Sequence, residues 1–495
     1  MHRRACLLLL AFLLVPATSA AYEPAPTHPG LTARALLASK LHAFLRKDCG
    51  LKLGLFQPLG LARKAMSPRD FNRLGRDLRR LDPAGGYAPD EQQVLRAAGW
   101  SMAGSVLAQI PASLNRHHFY CPPLRKGLDD RAPVLGTLLG FLAMLEGGDT
   151  VREFFTGTGF DLTGIPATRW IRHEHNRWSV DAFHEALAAS VSAPTPALRD
   201  HHLALALVAL GGVLHVLQDM ASPTQVRNDF VDGRLQKLGS SAFDRGSAYE
   251  RFVARRYGQF GVPRYQGAPV RRERIEGFFT NKSWNGLADI TSVGHFSPGT
   301  LPAPVQLLES TDPQELRQRI NGRLSLAKPS LGPIDLACLR RHERCYVEGK
   351  HGPLLAYRVD REGQLRFFLD ERCYAATARH LLPLAVGYSS GLIDHLLRAR
   401  ITLTADKDGL ALTNSGVPMK TARAVVLAEN GKGQRGVVAE PKLSLPAGED
   451  GQLARFSPTL PQGTRALYVL VRGTDAHDEP FVAVTHLEVG AKPKK

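Results

Sequence analysis

The fold class predicted here is a mainly α multi-helix bundle followed by a small C-terminal β-sandwich, and three observations point to it. The first is the stretch Leu203–Phe230, LALALVALGGVLHVLQDMASPTQVRNDF, which from Leu203 to Leu217 is almost wholly apolar except for His215. A helix apolar nearly all round belongs at the centre of a helical core. The second is a set of further segments with helical spacing of apolar residues on both sides of that stretch. The third is a change of period at Ile401, where short runs such as ARAVVLAE, ALYVLVRG and PFVAVTHLEV recur between Gly, Asn, Asp and Pro. Alternation broken by turn residues at that spacing is the signature of a small Ig-like sandwich.

At 495 residues the chain is too long for one ordinary domain. The opening MHRRACLLLLAFLLVPATSA has a basic start, an apolar run Leu7–Val15 and small residues before Ala21, so residues 1–20 read as a secretory signal peptide. Cys6 sits too early among arginines to be a lipobox cysteine. The remaining layout is a helical domain over 21–399, a β-sandwich over 400–490 and a basic tail, 491–495. No later run reads as a bilayer span, since the Leu203 helix carries His215. An exported protein, secreted or periplasmic, is expected.

Export permits disulfides. The cysteines beyond the leader are Cys49, Cys121, Cys338, Cys345 and Cys373, with no CxxC pair, which argues against a cysteine-based zinc site. Cys338 and Cys345 would close a short loop, and the odd count leaves one thiol unpaired. Lys+Arg of 63 against Asp+Glu of 46 gives a net charge of +17. A basic surface favours phosphate-bearing partners such as anionic lipid headgroups or nucleic acid. The bland alternative is generic surface charge in an arginine-rich chain.

Along the chain, YEPAPTHPGLTARALLASKLHAFLRKD opens a helix after Thr27 or the Pro29–Gly30 turn, with His28 just ahead of it. On its own His28 reads as a surface loop histidine. Residues 50–90 read as loop with a short helix, and Glu91–Ile110 as helix. In SLNRHHFYCPP one at most of His117 and His118 should face inward, because adjacent residues alternate. Ala132–Leu145 reads as helix, 149–167 as a Gly-rich loop, and Trp170–Ser190 as helix. On a helix His173 and His175 would lie on different faces, so HEH reads as solvated rather than metal-binding. SAFDRGSAYERFVARRYG is helical, 260–375 alternates loops with short helices, and 380–399 is the last strong helix.

His215 and Asp219 stand i,i+4, on one helix face with Cβ atoms about 6 Å apart. Facing into a core they need partners, because buried polar groups without them are costly. Pro223 stops the helix and lets the following segment fold back over that face. Read by themselves, the two are a buried hydrogen-bonded pair.

HVLQDMASPTQ, with HHFYCP and the upstream THPGLT helix start, resembles the zinc-dependent phospholipase C / single-strand-specific nuclease superfamily. The resemblance runs from about His28 to Leu397 and looks like a bacterial branch carrying a C-terminal β-domain. It implies a mostly helical exported enzyme that hydrolyses phosphoesters with clustered zinc. Carried over by position, it implies His28, His118, His215, Asp219 and Glu250 as metal ligands, with Asp219 bridging. Three positions depart from the pattern: Gly104 stands where the family has an acidic ligand, and Gln225 and Gly246 where it has histidines. What remains implies one zinc, at most two, since three protein ligands plus water suffice for one catalytic ion. His117, Glu174 and Asp229 are the only substitutes to suggest, and the amide of Gln225 is a poor one. Two readings follow: a secreted phosphoester hydrolase of phospholipase C type with a reduced zinc site, touching a membrane peripherally; or an inactive relative that keeps the fold and acts as a binding or surface-interaction protein.

Overall fold

The computed structural model describes residues 27–81, 94–110, 112–128, 164–229, 247–260, 262, 267–306, 312, 314, 335, 337–338, 344–407 and 409–489. Residues 1–20, expected as a leader, the segment Ala132–Leu145, nearly all of the Gly-rich loop, Gly246 and the tail lie outside these residues. The chain is mainly helical up to Leu396 and then wholly β, so it is a helical body followed by a β-sandwich.

The central helix runs Pro196–Asp219, capped by the Thr195 side chain with proline at its start. Thr195 Oγ1 accepts from Leu198 N, satisfying one of the first-turn amides, and Pro196 has no N–H to satisfy. From Leu203 onward almost every residue is buried, as an all-round apolar helix requires. It is the one described helix long and apolar enough to cross a membrane, yet 83% of its apolar window is buried inside the protein. Helix Ala97–Leu107 packs on it at backbone distance. A Cβ on Gly104 would stand 2.0 Å from Val208 O, and one on Gly211 1.9 Å from Ser101 O. Glycine at both places is therefore a condition of the packing. Helices Thr27–Ala38, Val180–Ser192 and Glu371–Leu396 complete the layer around the centre.

Within Glu91–Ile110, read as helix, Val94–Arg96 is instead strand β2, paired antiparallel with β1 (Pro58–Gly60), and the helix begins at Ala97. Two longer segments also differ from the sequence reading. Segment 260–375, expected as loops and short helices, contains a four-stranded antiparallel sheet of β3 (Val305–Gln306), β4 (Cys345–Gly349), β5 (Gly352–Val359) and β6 (Gln364–Phe368), in the order β3-β6-β5-β4. Its strands are short, and the apolar run Leu354–Tyr357 is buried without alternation, so no period of 2 betrays it. Cys338 and Cys345 form a disulfide beside it, and among the described residues Cys49 and Cys373 are free. The second segment is Trp170–Ser190, where the helix begins only at Val180 and His173 and His175 sit in the preceding turns. Ser179 caps that helix, accepting from Ala182 N, which is why it starts there.

From Ile401 the chain forms two facing antiparallel sheets, β7 (Ile401–Asp406), β8 (Gly409–Asn414) and β11 (Gln452–Phe456) in the order β11-β8-β7, and β9 (Met419–Asn430), β10 (Arg435–Ala439), β12 (Thr464–Asp475) and β13 (Pro480–Glu488) in the order β10-β9-β12-β13. Val426, Leu467, Val469, Val471 and Ala483 fill the space between them with Leu403, Leu412 and Leu453. The other face of the larger sheet is also covered: Leu427, Tyr468, Leu470, Val482 and Val484 join the core of the helical body. Buried ion pairs reinforce the seam, Arg398 with Asp475 at 2.8 Å and His395 with Glu479 at 2.7 Å.

Candidate metal centre

Three separated segments deliver the candidate side chains to one place. His28 lies in the first turn of helix Thr27–Ala38, His118 ends the short 3-10 stretch Ala112–His118, and His215 and Asp219 occupy the last turns of the central helix. None is more than 4% exposed. His28 is thus not the surface histidine its local sequence suggests. Burial of Thr27, His28 and Pro29 on the inner side of their helix carries it inward.

The Asp219 carboxylate is the hub. Oδ1 lies 3.3 Å from His28 Nε2, and Oδ2 lies 2.8 Å from His118 Nδ1 and 3.1 Å from His215 Nε2. The His28 and His215 rings stack with centroids 3.9 Å apart, and His118 stands edge-on to His215 at 5.0 Å. One donor atom from each of His28, His215 and Asp219 falls within 4.8 Å of the others.

The far nitrogens fix the tautomers. His215 Nδ1 is 2.5 Å from Ser105 O, and His28 Nδ1 is 2.9 Å from Gln218 Oε1. A carbonyl oxygen only accepts, so each Nδ1 carries the proton and donates it. The Gln218 amide is oriented by its own Nε2, which donates to Thr32 Oγ1 at 3.1 Å. In their neutral forms both rings then turn an Nε2 lone pair toward the carboxylate.

Charge sharpens the point. Burial pushes the His28 pKa below its usual value, with His215 adding to it, and the attraction of Asp219 does not reverse this. Burial alone would raise Asp219, but His215 and hydrogen bonds from His118, His215 and His28 outweigh it and hold the carboxylate well below its ordinary range. With Nδ1 already donating, hydrogen bonds from Nε2 of His28 and His215 belong to the protonated rings, and when the rings are neutral their Nε2 lone pairs face the carboxylate instead. Lone pairs and a carboxylate converging in a dry interior call for a cation among them. Imidazole nitrogens plus carboxylate, each ring anchored from behind by a carbonyl oxygen, form a donor set that suits zinc. His118 contributes differently: its Nδ1 is held on Asp219, and its Nε2 is buried with no hydrogen-bond partner among the described residues.

The remaining candidates stand elsewhere or are otherwise engaged. Glu250 is buried, with Oε2 accepting from Ser247 N at 2.7 Å and Oε1 accepting from Ser222 Oγ at 2.8 Å. With Ser247 Oγ accepting from Glu250 N it forms a capping box at the start of helix Ala248–Arg256. His117, expected to face away from its neighbour, is buried as well, because the 3-10 stretch does not alternate like a strand. Its Nε2 lies 3.0 Å from Arg116 Nε and its Nδ1 2.9 Å from Ile165 N, of which the neutral ring accepts one in either tautomer, and its ring stacks on Trp170 at 4.1 Å. Burial, followed by Arg116, lowers its pKa to about 2. Asp229 accepts from Gly299 N at 2.6 Å, and Glu174 lies in the turns before Val180. Gln225 is buried, and its Oε1 has no hydrogen-bond partner. Sequence reasoning missed Gln218 and the Ser105 carbonyl. Gln218 left a signal, a second polar residue between His215 and Asp219 in an apolar helix; a backbone carbonyl leaves none.

Fold and site together define a class: a helical body with a buried imidazole–carboxylate centre suited to a divalent ion, continued by a β-sandwich. Among solved structures, the alpha toxin of Clostridium absonum is similar over 95% of this chain and 97% of its own, at 9% identity and a TM-score of 0.29. The alpha-toxin of Clostridium perfringens, avian strain SWCP, is similar over 95% of this chain and 100% of its own, at 10% identity and a TM-score of 0.26. Likeness at that level assigns neither an activity nor a residue. No family model matches the chain, and no curated protein matches it.

Proposed function

We propose that the chain is an exported metal-dependent phosphoester hydrolase working with a single zinc ion held by His28, His215 and Asp219. The observation that carries the reading is the convergence of two anchored imidazole Nε2 atoms on an ionised, buried carboxylate. Bound zinc would act as a Lewis acid and bring the pKa of a bound water to about 7. The protein's own share is positioning. Gln218 and Ser105 O keep the two rings in the Nδ1–H tautomer, and the dry surroundings strengthen every charge interaction at the centre. His118 keeps its Nδ1 on Asp219 Oδ2 and offers Nε2 as a site for taking up a proton. The substrate class, a lipid headgroup or a nucleic-acid phosphodiester, rests on the motif resemblance and on the +17 charge.

The loss of further metals has a steric basis at Gly104, where a carboxylate side chain would need space taken by the Val208 carbonyl. Near-complete burial of all four residues favours a second reading, in which His118 Nε2 supplies a fourth ligand and the closed centre holds the fold without turnover. Elemental analysis of purified protein, followed by hydrolysis of bis(p-nitrophenyl) phosphate, separates the two. One zinc per chain with turnover lost in His215→Ala supports the hydrolase. One zinc with no turnover supports the closed centre, and no zinc at all removes both.

A further inference from the structure

A second histidine group lies away from the metal centre, where the β4–β5 turn rests on helix Glu371–Leu396. His351 in that turn stacks on His380 of the helix, centroids 3.5 Å apart and planes within 12°. His380 Nδ1 is 3.0 Å from His295 Nε2, and His295 Nδ1 is 3.2 Å from Thr377 Oγ1. A cavity of about 290 Å³ opens there, lined by His351, Arg379, His380, Pro383 and Leu384. Lys350 precedes His351 in the same turn, outside the lining but close enough for its charge to act on His351 and His380. Arg379, Lys350 and the three histidines make no ion pair with a carboxylate among the described residues. The charged groups felt by His380 are His351 and Lys350, and His351 feels Lys350. Behind them, Arg227 donates from Nε to the His295 carbonyl, which adds another positive charge to the same side.

A metal cation is disfavoured in such a place by the guanidinium and the ammonium. Protein surfaces usually interleave the two signs of charge, and a concavity walled by cations and imidazoles without a carboxylate is electrostatically complementary to an anion. Guanidinium and imidazole N–H groups match tetrahedral oxyanions, which accept several charge-assisted hydrogen bonds at once. We propose that the cavity at His351, Arg379 and His380 binds a phosphate group, as the free ion or as a phosphomonoester headgroup. Burial is the main reason His380 is held neutral, with its pKa lowered to about 4; a bound phosphate would draw a proton onto that ring and add a charge-assisted hydrogen bond. The cavity's size suits a headgroup rather than a polymer. This site does not depend on the metal centre.

The test uses the full-length protein as purified; phosphate held at the metal centre is told apart because it leaves the imidazole resonances of His351 and His380 unmoved. Titration with inorganic phosphate is followed by calorimetry and by the imidazole C–H resonances of His351 and His380. Saturable binding that shifts those two resonances is expected. Arg379→Ala and Lys350→Ala, both at exposed positions, should each weaken it by about tenfold without altering the circular dichroism. Sedimentation with phosphatidic acid vesicles, set against phosphatidylcholine vesicles, tells the sources apart. Retention on the former, competed by phosphate and lost in Arg379→Ala, assigns a lipid headgroup; phosphate binding without retention assigns the free ion. Absence of saturable binding, or affinity unchanged in both Arg379→Ala and Lys350→Ala, overturns the proposal.

Discussion

Two groups of histidines in the helical body, one around Asp219 and one around His380, have surroundings opposite in sign. At the first place two rings are tied from behind by Gln218 Oε1 and Ser105 O, so their lone pairs turn toward an ionised carboxylate. At the second, a turn lays His351 against His380 beside Arg379, with no carboxylate in the cavity lining among the described residues. The residue type is the same, and the proton positions and neighbouring charges decide whether the pocket suits a cation or an anion. Burial differs too. The first group is sealed between helices, while the second grades from buried His295 to exposed His351.

The comparison can be broken most forcefully at the packing that encloses the first group. Gly104→Asp, the change that would put back a carboxylate at that position, should prevent folding or cost more than about 3 kcal/mol, read by denaturant unfolding, because its Cβ meets Val208 O at 2.0 Å. A stable Gly104→Asp protein that binds a further zinc would show that the two helices can part. Asp219→Asn comes next. Without the negative hub the three imidazoles lose their shared partner, and a loss on the order of 3 kcal/mol together with the bound zinc is expected. Retention of zinc in that variant would mean the histidines alone suffice.

Acid acts through neutral buried histidines, His28 in the first group, His295 in the second, and His184 outside both. His184 and His295 are lowered to about 3, mainly by burial, and His28 is lowered as well. The unfolded chain takes up protons near pH 6.5 while the folded one does not, so stability should be full above that pH and fall progressively toward pH 3. Asp219, held below its ordinary range, adds its own loss from about pH 4 downward, as the unfolded chain's carboxyl begins to take up a proton that the folded one refuses. Melting temperatures across this range check the sign, and a flat profile between pH 7 and pH 4 would mean that these rings are already charged in the fold. The smallest effect is expected from Glu250→Gln, where loss of a capping carboxylate should cost about 1 kcal/mol and leave zinc content unchanged. Zinc lost along with it would move Glu250 from the cap into the metal shell.

Much of this was legible in the chain because it is local. An apolar run interrupted by His215 and Asp219 specifies a central helix with a polar pair on one face, whatever surrounds it. The β-sandwich announces itself through alternation and turn residues, and the short-loop disulfide through the spacing of Cys338 and Cys345. The sheet of β3–β6 was not legible, since its strands are short and its apolar run Leu354–Tyr357 fits a buried helix turn equally well. Nor was the depth of His28 and His117, which depends on which side of a short element meets the core.

The tertiary structure alone decided the chemistry of the candidate centre. Sequence spacing puts His215 and Asp219 together, but the imidazole of His28 arrives from a helix far away along the chain, and its proton is placed by Gln218 and, for His215, by a backbone carbonyl. Likewise nothing in the spacing of His295, His351, Arg379 and His380 brings them to one cavity; the β4–β5 turn does. Local patterns set elements because hydrogen bonding and burial repeat along a helix or strand, whereas a site's charge balance is a sum over groups that only the packed chain assembles.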